Sequence, residues 1–358
     1  MKKILFPLFL LGCLNARAEY RFNDSHFHLT NYIQEGTPIQ KYIEIMGDTV
    51  GRSTVFGIPL QQQWSYRISG KDHAPKYYLD TDARLYYYSF TDAFIAMAYR
   101  SLPKESQERL DPMITGFNPT DMYGVDHIKR TLQTFPGVFT GIGEFTIHKE
   151  FVSSKVAGDV ASLTDPALDR ILDFAGEVGL LAIMHSDFNT PFPKDGTDPA
   201  FFKQMKELLG KHPKTKIIWA HAGLGRIIEP IESQLKGIQE ILDDKKLKHV
   251  YFDISWDEVA KYVVKTPDSV KKMAAFLEKY PDRFLFGTDE VAPSDKASHE
   301  KVYWQYGPLW NLLSKETSEK VRRLNYEKLF DEARVKVRAW EKKQGFVDTS
   351  PRLPASSK

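Results

Sequence analysis

The sequence predicts a (β/α)8 barrel, and three observations predict it. Short apolar runs recur eight times along the chain, amphipathic helical runs alternate with them, and several of the apolar runs end in a histidine or an acid. Alternation of strand-like and helix-like segments is the mark of parallel strands joined by crossover helices. In a closed parallel barrel, polar residues at the C-terminal strand ends meet at one rim, where such barrels do their chemistry. A chain of 358 residues is long enough for one such domain.

The first 18 residues stand apart from this rhythm. Lys2 and Lys3 precede a short apolar core, Ile4 to Leu11, and Ala16-Arg17-Ala18 puts small residues where a signal peptidase reads. The expectation is a signal peptide over 1–18, a barrel domain over 19–345, a polar tail over 346–358, and export to the periplasm. Leu10-Leu11-Gly12-Cys13 offers lipidation at Cys13 as the alternative, although the tether to the first strand would then be cramped. Cys13 is the only cysteine, so the folded part needs no disulfide and its metal site is no thiolate cage. No other apolar run is long enough to span a bilayer. A net charge of +2 gives no nucleic-acid groove and no polybasic membrane patch. The partner that remains is a small-molecule substrate, and a homo-oligomer is compatible with this composition.

Taken in order, the strands are Tyr20 to His28, Ser53 to Leu60, Pro112 to Gly116, Val138 to Glu144, Leu180 to His185, Lys216 to His221, His249 to Ile254 and Arg283 to Asp289. Each is an apolar or β-branched run of strand length. Helical periodicity fills the gaps at Asp121 to Thr134, Ala167 to Val178, Pro199 to Leu209, Ile228 to Asp243 and Ser269 to Tyr280. Asp121 is a candidate cap for the first of these, and Asp165-Pro166 opens the second with proline in the first turn. Past the last strand, Lys301 to Leu313, Lys315 to Glu327 and Leu329 to Lys343 complete the outer ring and pack over the barrel base. The tail from Phe346 is expected to fray. One connection, Gln61 to Asp82, is too long for a simple crossover. It carries Trp64, Arg67 and several tyrosines, which suit a lid over a pocket as well as an ordinary packed loop.

The strand ends carry the chemistry. In Asp24-Ser25-His26-Phe27-His28 the polar residues alternate, so both imidazoles face one side of an extended strand and can reach one cation. The fourth strand ends in Glu144, the fifth in His185, the sixth in His221 and the eighth in Asp289, each after an apolar run. Taken singly, His185 or His221 is more often a hydrogen-bonded core histidine, and Glu144 reads equally as a structural carboxylate. Buried together they need a shared partner, because bare imidazoles and carboxylates are costly inside a protein. Asp253, Asp187, Asn189 and His148 are left as neighbours of unassigned role, and the other histidines as structural or exposed.

These pieces, with Gly143-Glu144, Met184-His185-Ser186, Ala220-His221-Ala222-Gly223, Phe286-Gly287-Thr288-Asp289 and Asn325 to Phe330, resemble the amidohydrolase superfamily over most of the chain. The nearest resemblance is to its amidohydrolase-related branch, which includes decarboxylases of aromatic and muconate acids. The resemblance implies a barrel with one or two divalent ions, zinc first and manganese or iron as alternatives. It implies His26, His28, His185 and Asp289 as direct ligands, and His221 as a ligand to a second ion or a carbonyl-polarising group. Glu144 stands where some members bridge two ions and others bind one, so both forms stay open, as does a structural carboxylate.

The expected reaction is hydrolysis of an amide, lactone or ester. A zinc-class cation lowers the pKa of bound water to ~7, giving hydroxide at neutral pH. Asp289 would take the water's proton and pass it to the leaving group, while His221 steadies the carbonyl oxygen. The alternative is non-oxidative decarboxylation of an aromatic or unsaturated acid, with Arg226 and Arg67 neutralising the substrate. A third class, a metal- or ligand-binding protein without catalysis, would be marked by a missing ligand, and none is missing.

Overall fold

Eight strands pair in parallel, each beside the next in the chain: β1 Phe22–Asp24, β2 Val50–Val55, β3 Leu110–Ile114, β4 Gly141–His148, β5 Leu181–Ser186, β6 Ile217–Trp219, β7 Val250–Asp253 and β8 Phe284–Leu285. The two edges of this sheet meet. Ser25 donates its N–H to Phe286 O at 3.1 Å, and beyond that point Glu290–Val291 pairs in parallel with Phe27–His28. The result is the expected TIM barrel with helices outside it. The computed structural model describes residues 20–31, 34–58, 62–64, 88–150, 152–156 and 159–348. Residues 1–19, where the signal peptide is expected, Arg67 and most of the long connection, and the residues from 349 lie outside them.

Strand periodicity sorts the core into two layers. Leu181 and Ile183 of β5 point into the barrel with Met113, Ile218 and Leu285, whereas Ala182 and Met184 face the helices. The barrel interior is closed below by the C-terminal helix Asn325–Lys343, which contributes Tyr326, Leu329 and Phe330 to the same cluster. Tyr326 also donates to Asp111, whose carboxylate takes Arg52 and Arg334 at 2.8 and 2.7 Å. The base is therefore plugged, and only the opposite rim is left for a site.

Several boundaries differ from the sequence reading, and the differences matter at the rim. The first strand shifts register between Phe22 and Asp24 and ends there, and Phe27–His28 is a separate strand, so the alternation through His28 is not one continuous ladder. Strand β4 runs on four residues past Glu144, to His148. Strands β6 and β8 stop short of His221 and Asp289, which lie on turns beyond them. Three helices between the early strands, Ile39–Met46, Thr91–Arg100 and Lys104–Glu108, were not anticipated. Neither was a small antiparallel sheet in which Gln62–Trp64 pairs with Val152–Val156, and that strand with Asp159–Val160. It ties the long connection to the segment after β4. Asp121 does not cap a helix: it accepts from Tyr123 N in a turn, and the helix starts at Gly124. Asp165 does cap, accepting from Ala167 N at 2.8 Å ahead of Pro166. Residues 346–348 are anchored, not frayed. Phe346 meets Trp340 edge-on, and Asp348 pairs with Arg100 at 3.2 Å.

Candidate metal centre

Two glycines let the rim close tightly. A Cβ on Gly143 would lie 2.1 Å from Ile183 O, and one on Gly287 would lie 2.8 Å from the Cβ of His26. The strands carrying Glu144 and Asp289 therefore approach their neighbours closer than any side chain allows. His221 and Asp289 themselves adopt positive φ, 56° and 53°. For non-glycine residues that backbone costs about 1–3 kcal/mol each, and such strain collects at functional sites. Asp24, fully buried, joins the two ends of the barrel: it accepts from Thr288 N, Thr288 Oγ1 and His26 N at 2.8, 2.6 and 3.1 Å. It fixes the segment that bears Asp289 against the one that bears His26, and it does not point into the site as a ligand.

Each of three histidines is held from behind through Nδ1. His26 Nδ1 meets Asp253 Oδ2 at 3.2 Å, His28 Nδ1 meets Gly57 O at 2.9 Å, and His221 Nδ1 meets Ser255 Oγ at 2.8 Å. A carbonyl and a carboxylate only accept, so Nδ1 of His26 and His28 carries the proton. Ser255 gives its hydroxyl proton to Asp253, so its oxygen accepts from His221 in the same way. In their neutral form all three rings turn an Nε2 lone pair inward. This is the arrangement that orients metal-binding imidazoles elsewhere.

The inward atoms converge. His26 and His28 Nε2 lie 3.2 and 3.1 Å from Asp289 Oδ1, and 3.7 and 3.5 Å from Glu144 Oε2. His221 Nε2 is 3.5 Å from Glu144 Oε1 and 3.8 Å from Asp289 Oδ2. Donor atoms of His26, Glu144 and His221, and of His26, His28 and Asp289, fall within 4.8 Å of one another. Among the described residues, His26 Nε2, Glu144 Oε2 and His221 Nε2 are buried without a hydrogen bond. Electron pairs facing one another in a dry cavity repel unless a cation sits between them. The donor set, imidazole nitrogen with carboxylate oxygen at this spacing, fits a divalent ion of the zinc class, whose ligands lie ~2.0–2.2 Å from it.

Electrostatics agree. Burial alone would depress His26, but Asp289 and Asp253 outweigh it and hold the imidazole well above its ordinary range. His28 is raised as well, burial again opposing and Asp289 and Glu144 prevailing. Burial works to raise Glu144 and Asp289, yet Lys149 and His185 hold the first far below the carboxylate range, and His26 and His221 pull the second down. The cluster is built to hold positive charge.

His185 stands one step back. Its Nδ1 meets Glu144 Oε1 at 2.6 Å and its Nε2 meets Asp187 Oδ1 at 3.2 Å, so both nitrogens already face carboxylates. It is not among the converging donors, and in this placement it supports Glu144. Asp253 reaches two histidines at once: besides His26 it accepts from the His221 backbone N–H at 2.9 Å. His221 Nε2 faces the same cavity, 3.5 Å from Glu144 Oε1. His148 stacks on Phe201, and His127 and His212 pair with Asp92 and with Asp169 and Asp173, away from the cluster. Trp64 is placed only through its backbone, and Arg67 lies outside the described residues.

The sequence profile of the amidohydrolase family matches residues 24–331. The chain belongs to the amidohydrolase family. No curated protein matches it in sequence. Solved structures share the fold at low identity. One is a Pseudomonas putida protein assigned as a 2-pyrone-4,6-dicarboxylic acid hydrolase, with 14% identity, TM-score 0.51, and 88% of this chain and 98% of that one covered. Another is 2,6-dihydroxybenzoate decarboxylase from Rhizobium, with 12% identity, TM-score 0.51, and coverage of 87% and 99%. A third is an amidohydrolase from Burkholderia multivorans with bound zinc, with 12% identity, TM-score 0.52, and coverage of 87% and 99%.

The chain also carries rim residues that the strand-end pattern passes over. Lys149 follows β4 directly and brings Nζ to 4.0 Å from Glu144 Oε1. Trp256, just after β7, sets its ring 5.1 Å from that of His221 and 6.4 Å from that of His185. Arg226, in the loop after β6, lies with its guanidinium carbon 5.7 Å from the Trp256 ring centroid and its Nε 3.5 Å from Glu258.

Proposed function

We propose that this protein is a metal-dependent hydrolase that cleaves an amide, lactone or ester bond of a small molecule. The observation that carries the reading is the convergence of three imidazole Nε2 atoms and two carboxylates on one buried point at the barrel rim. His26, His28, Asp289, His221 and Glu144 would hold the ion, which supplies Lewis acidity toward water and a carbonyl oxygen. One ion suits the site better than two. Both candidate groups need the same Nε2 lone pair of His26, because Asp253 occupies the other nitrogen. Zinc is the first candidate for this donor set, with manganese and iron as alternatives.

The chain's own residues supply the rest. Asp289 is the carboxylate nearest the opening, its side chain 6% exposed while that of Glu144 is fully buried. Its Oδ1 is engaged by His26 and His28, so Oδ2 is the oxygen placed to take a proton from an attacking water and return it to the leaving group. Glu144, backed by His185 and Lys149, stays ionised and holds the site together. Walls of Phe56, edge-on to His26 and His28, keep water from the rear of the rings.

Decarboxylation of an aromatic or unsaturated acid is the second reading. The cations Lys149 and Arg226 at the rim favour it, since they suit an acid substrate. A turnover screen on amides, lactones and esters against aromatic acids separates the two. Hydrolysis products without CO2 are expected; CO2 release without hydrolysis would replace the first reading by the second. The leader over residues 1–18 supports export to the periplasm. Among the described residues no helix is long and apolar enough to cross a membrane.

A further inference from the structure

His299 is fully buried, yet neither of its ring nitrogens makes a hydrogen bond among the described residues. It lies on the helix Lys296–Gln305, with the rings of Phe27 and Tyr42 edge-on at 5.3 Å and that of Phe22 at 6.4 Å. The Tyr42 hydroxyl donates to Ser53 Oγ and offers the imidazole nothing. Burial in this apolar box pushes the pKa of His299 down to about 3, so the ring is neutral and carries one N–H and one lone pair. A polar ring without partners is worse there than a hydrocarbon of the same shape. Packing alone therefore does not account for a histidine at this position. Its acidic neighbour does: Nε2 lies 3.6 Å from Asp24 Oδ2.

Asp24 has an acceptor position to spare. Its Oδ1 already takes the N–H groups of His26 and Thr288, at 3.1 and 2.8 Å, and its Oδ2 takes the Thr288 hydroxyl at 2.6 Å. Each carboxylate oxygen has two lone pairs, so the second on Oδ2 is open, and Oδ2 is the oxygen His299 faces. We propose that His299 is a positioning residue for the metal centre: through Nε2–H it holds the open side of Asp24, and Asp24 in turn holds His26 and the Thr288–Asp289 turn in ligating register. A movement of the ring by about half an ångström brings the contact into hydrogen-bond range. The inference rests on the metal-centre reading and goes beyond it, because His299 acts on two ligands, His26 and Asp289, through one carboxylate behind them. The neutral ring supplies direction there without adding charge to the ligand cluster.

Three measurements test this in the parent, His299→Leu and His299→Gln: zinc affinity by chelator competition, the visible spectrum of the cobalt-loaded protein, and the melting temperature of the metal-free protein. Leucine fills the box without a donor, whereas the glutamine amide reaches toward the place of Nε2 and can donate. His299→Leu should melt at the parent temperature or above, bind zinc about 10–100-fold more weakly, the usual cost of removing a group behind a metal ligand, and shift the cobalt bands. His299→Gln should bring zinc affinity and the bands back toward the parent's. Parent-level zinc affinity with an unchanged cobalt spectrum in His299→Leu would overturn the inference. So would a lowered melting temperature in that variant, or equal zinc loss in both, since either marks a packing role. Failure of the metal centre itself shows separately, as a parent chain that takes up no ion. Failure of the hydrolase reading shows as absent turnover with these metal readouts intact.

Discussion

Asp289→Asn is expected to retain the metal and lose turnover by a factor on the order of 10²–10⁴, the usual contribution of a placed general base. The amide keeps an oxygen for the ion and for the 3.2 and 3.1 Å contacts to His26 and His28. It cannot accept a proton at neutral pH. Burial opposes ionisation of the native carboxylate, but His26 and His221 prevail and hold it well below the usual carboxylate range, so a base is present in the parent at neutral pH. The check is kcat alongside metal content per chain. Parent-level kcat in a metal-replete variant would remove Asp289 from the proton-transfer role.

His26→Ala is expected to cost both the ion and the fold's stability. His26 Nε2 is common to both candidate ligand groups, and its Nδ1 is the partner of buried Asp253. Removing the ring leaves Asp289, Glu144 and Asp253 facing one another with less positive charge between them. Breaking a buried pair from one side costs about 3–5 kcal/mol, because the remaining charge is stranded. Thermal unfolding of the variant should therefore begin well below the parent's, and added zinc should not restore it. A variant as stable as the parent, with parent-like zinc uptake, would contradict the arrangement.

The ligand candidates were legible in the sequence because chemistry at a barrel rim leaves a linear trace. An apolar run ending in histidine or acid is unusual, and His26, His28, Glu144, His221 and Asp289 all meet at the same place. The finer geometry left no such trace. Nothing in Ala220-His221-Ala222 announces that His221 sits on a left-handed turn past the strand, or that Ser255 and Asp253 orient it. His185 reads the same as its neighbours in sequence, and nothing there announces that both its nitrogens face carboxylates, Glu144 and Asp187. Lys149 and Trp256 lie one and three residues beyond strand ends, where no periodicity marks them. The antiparallel pairing of Gln62–Trp64 with Val152–Val156 was hidden for a related reason: a three-residue strand is too short for alternation to show.

Metal content per folded chain, measured on protein purified without added metal and again after chelation and zinc titration, tests the central claim most directly. The arrangement of lone pairs predicts uptake of one divalent ion per chain, with a raised melting temperature on binding and a loss of uptake in His26→Ala. Protein that takes up no zinc, manganese or iron, and whose melting temperature ignores all three, would contradict it.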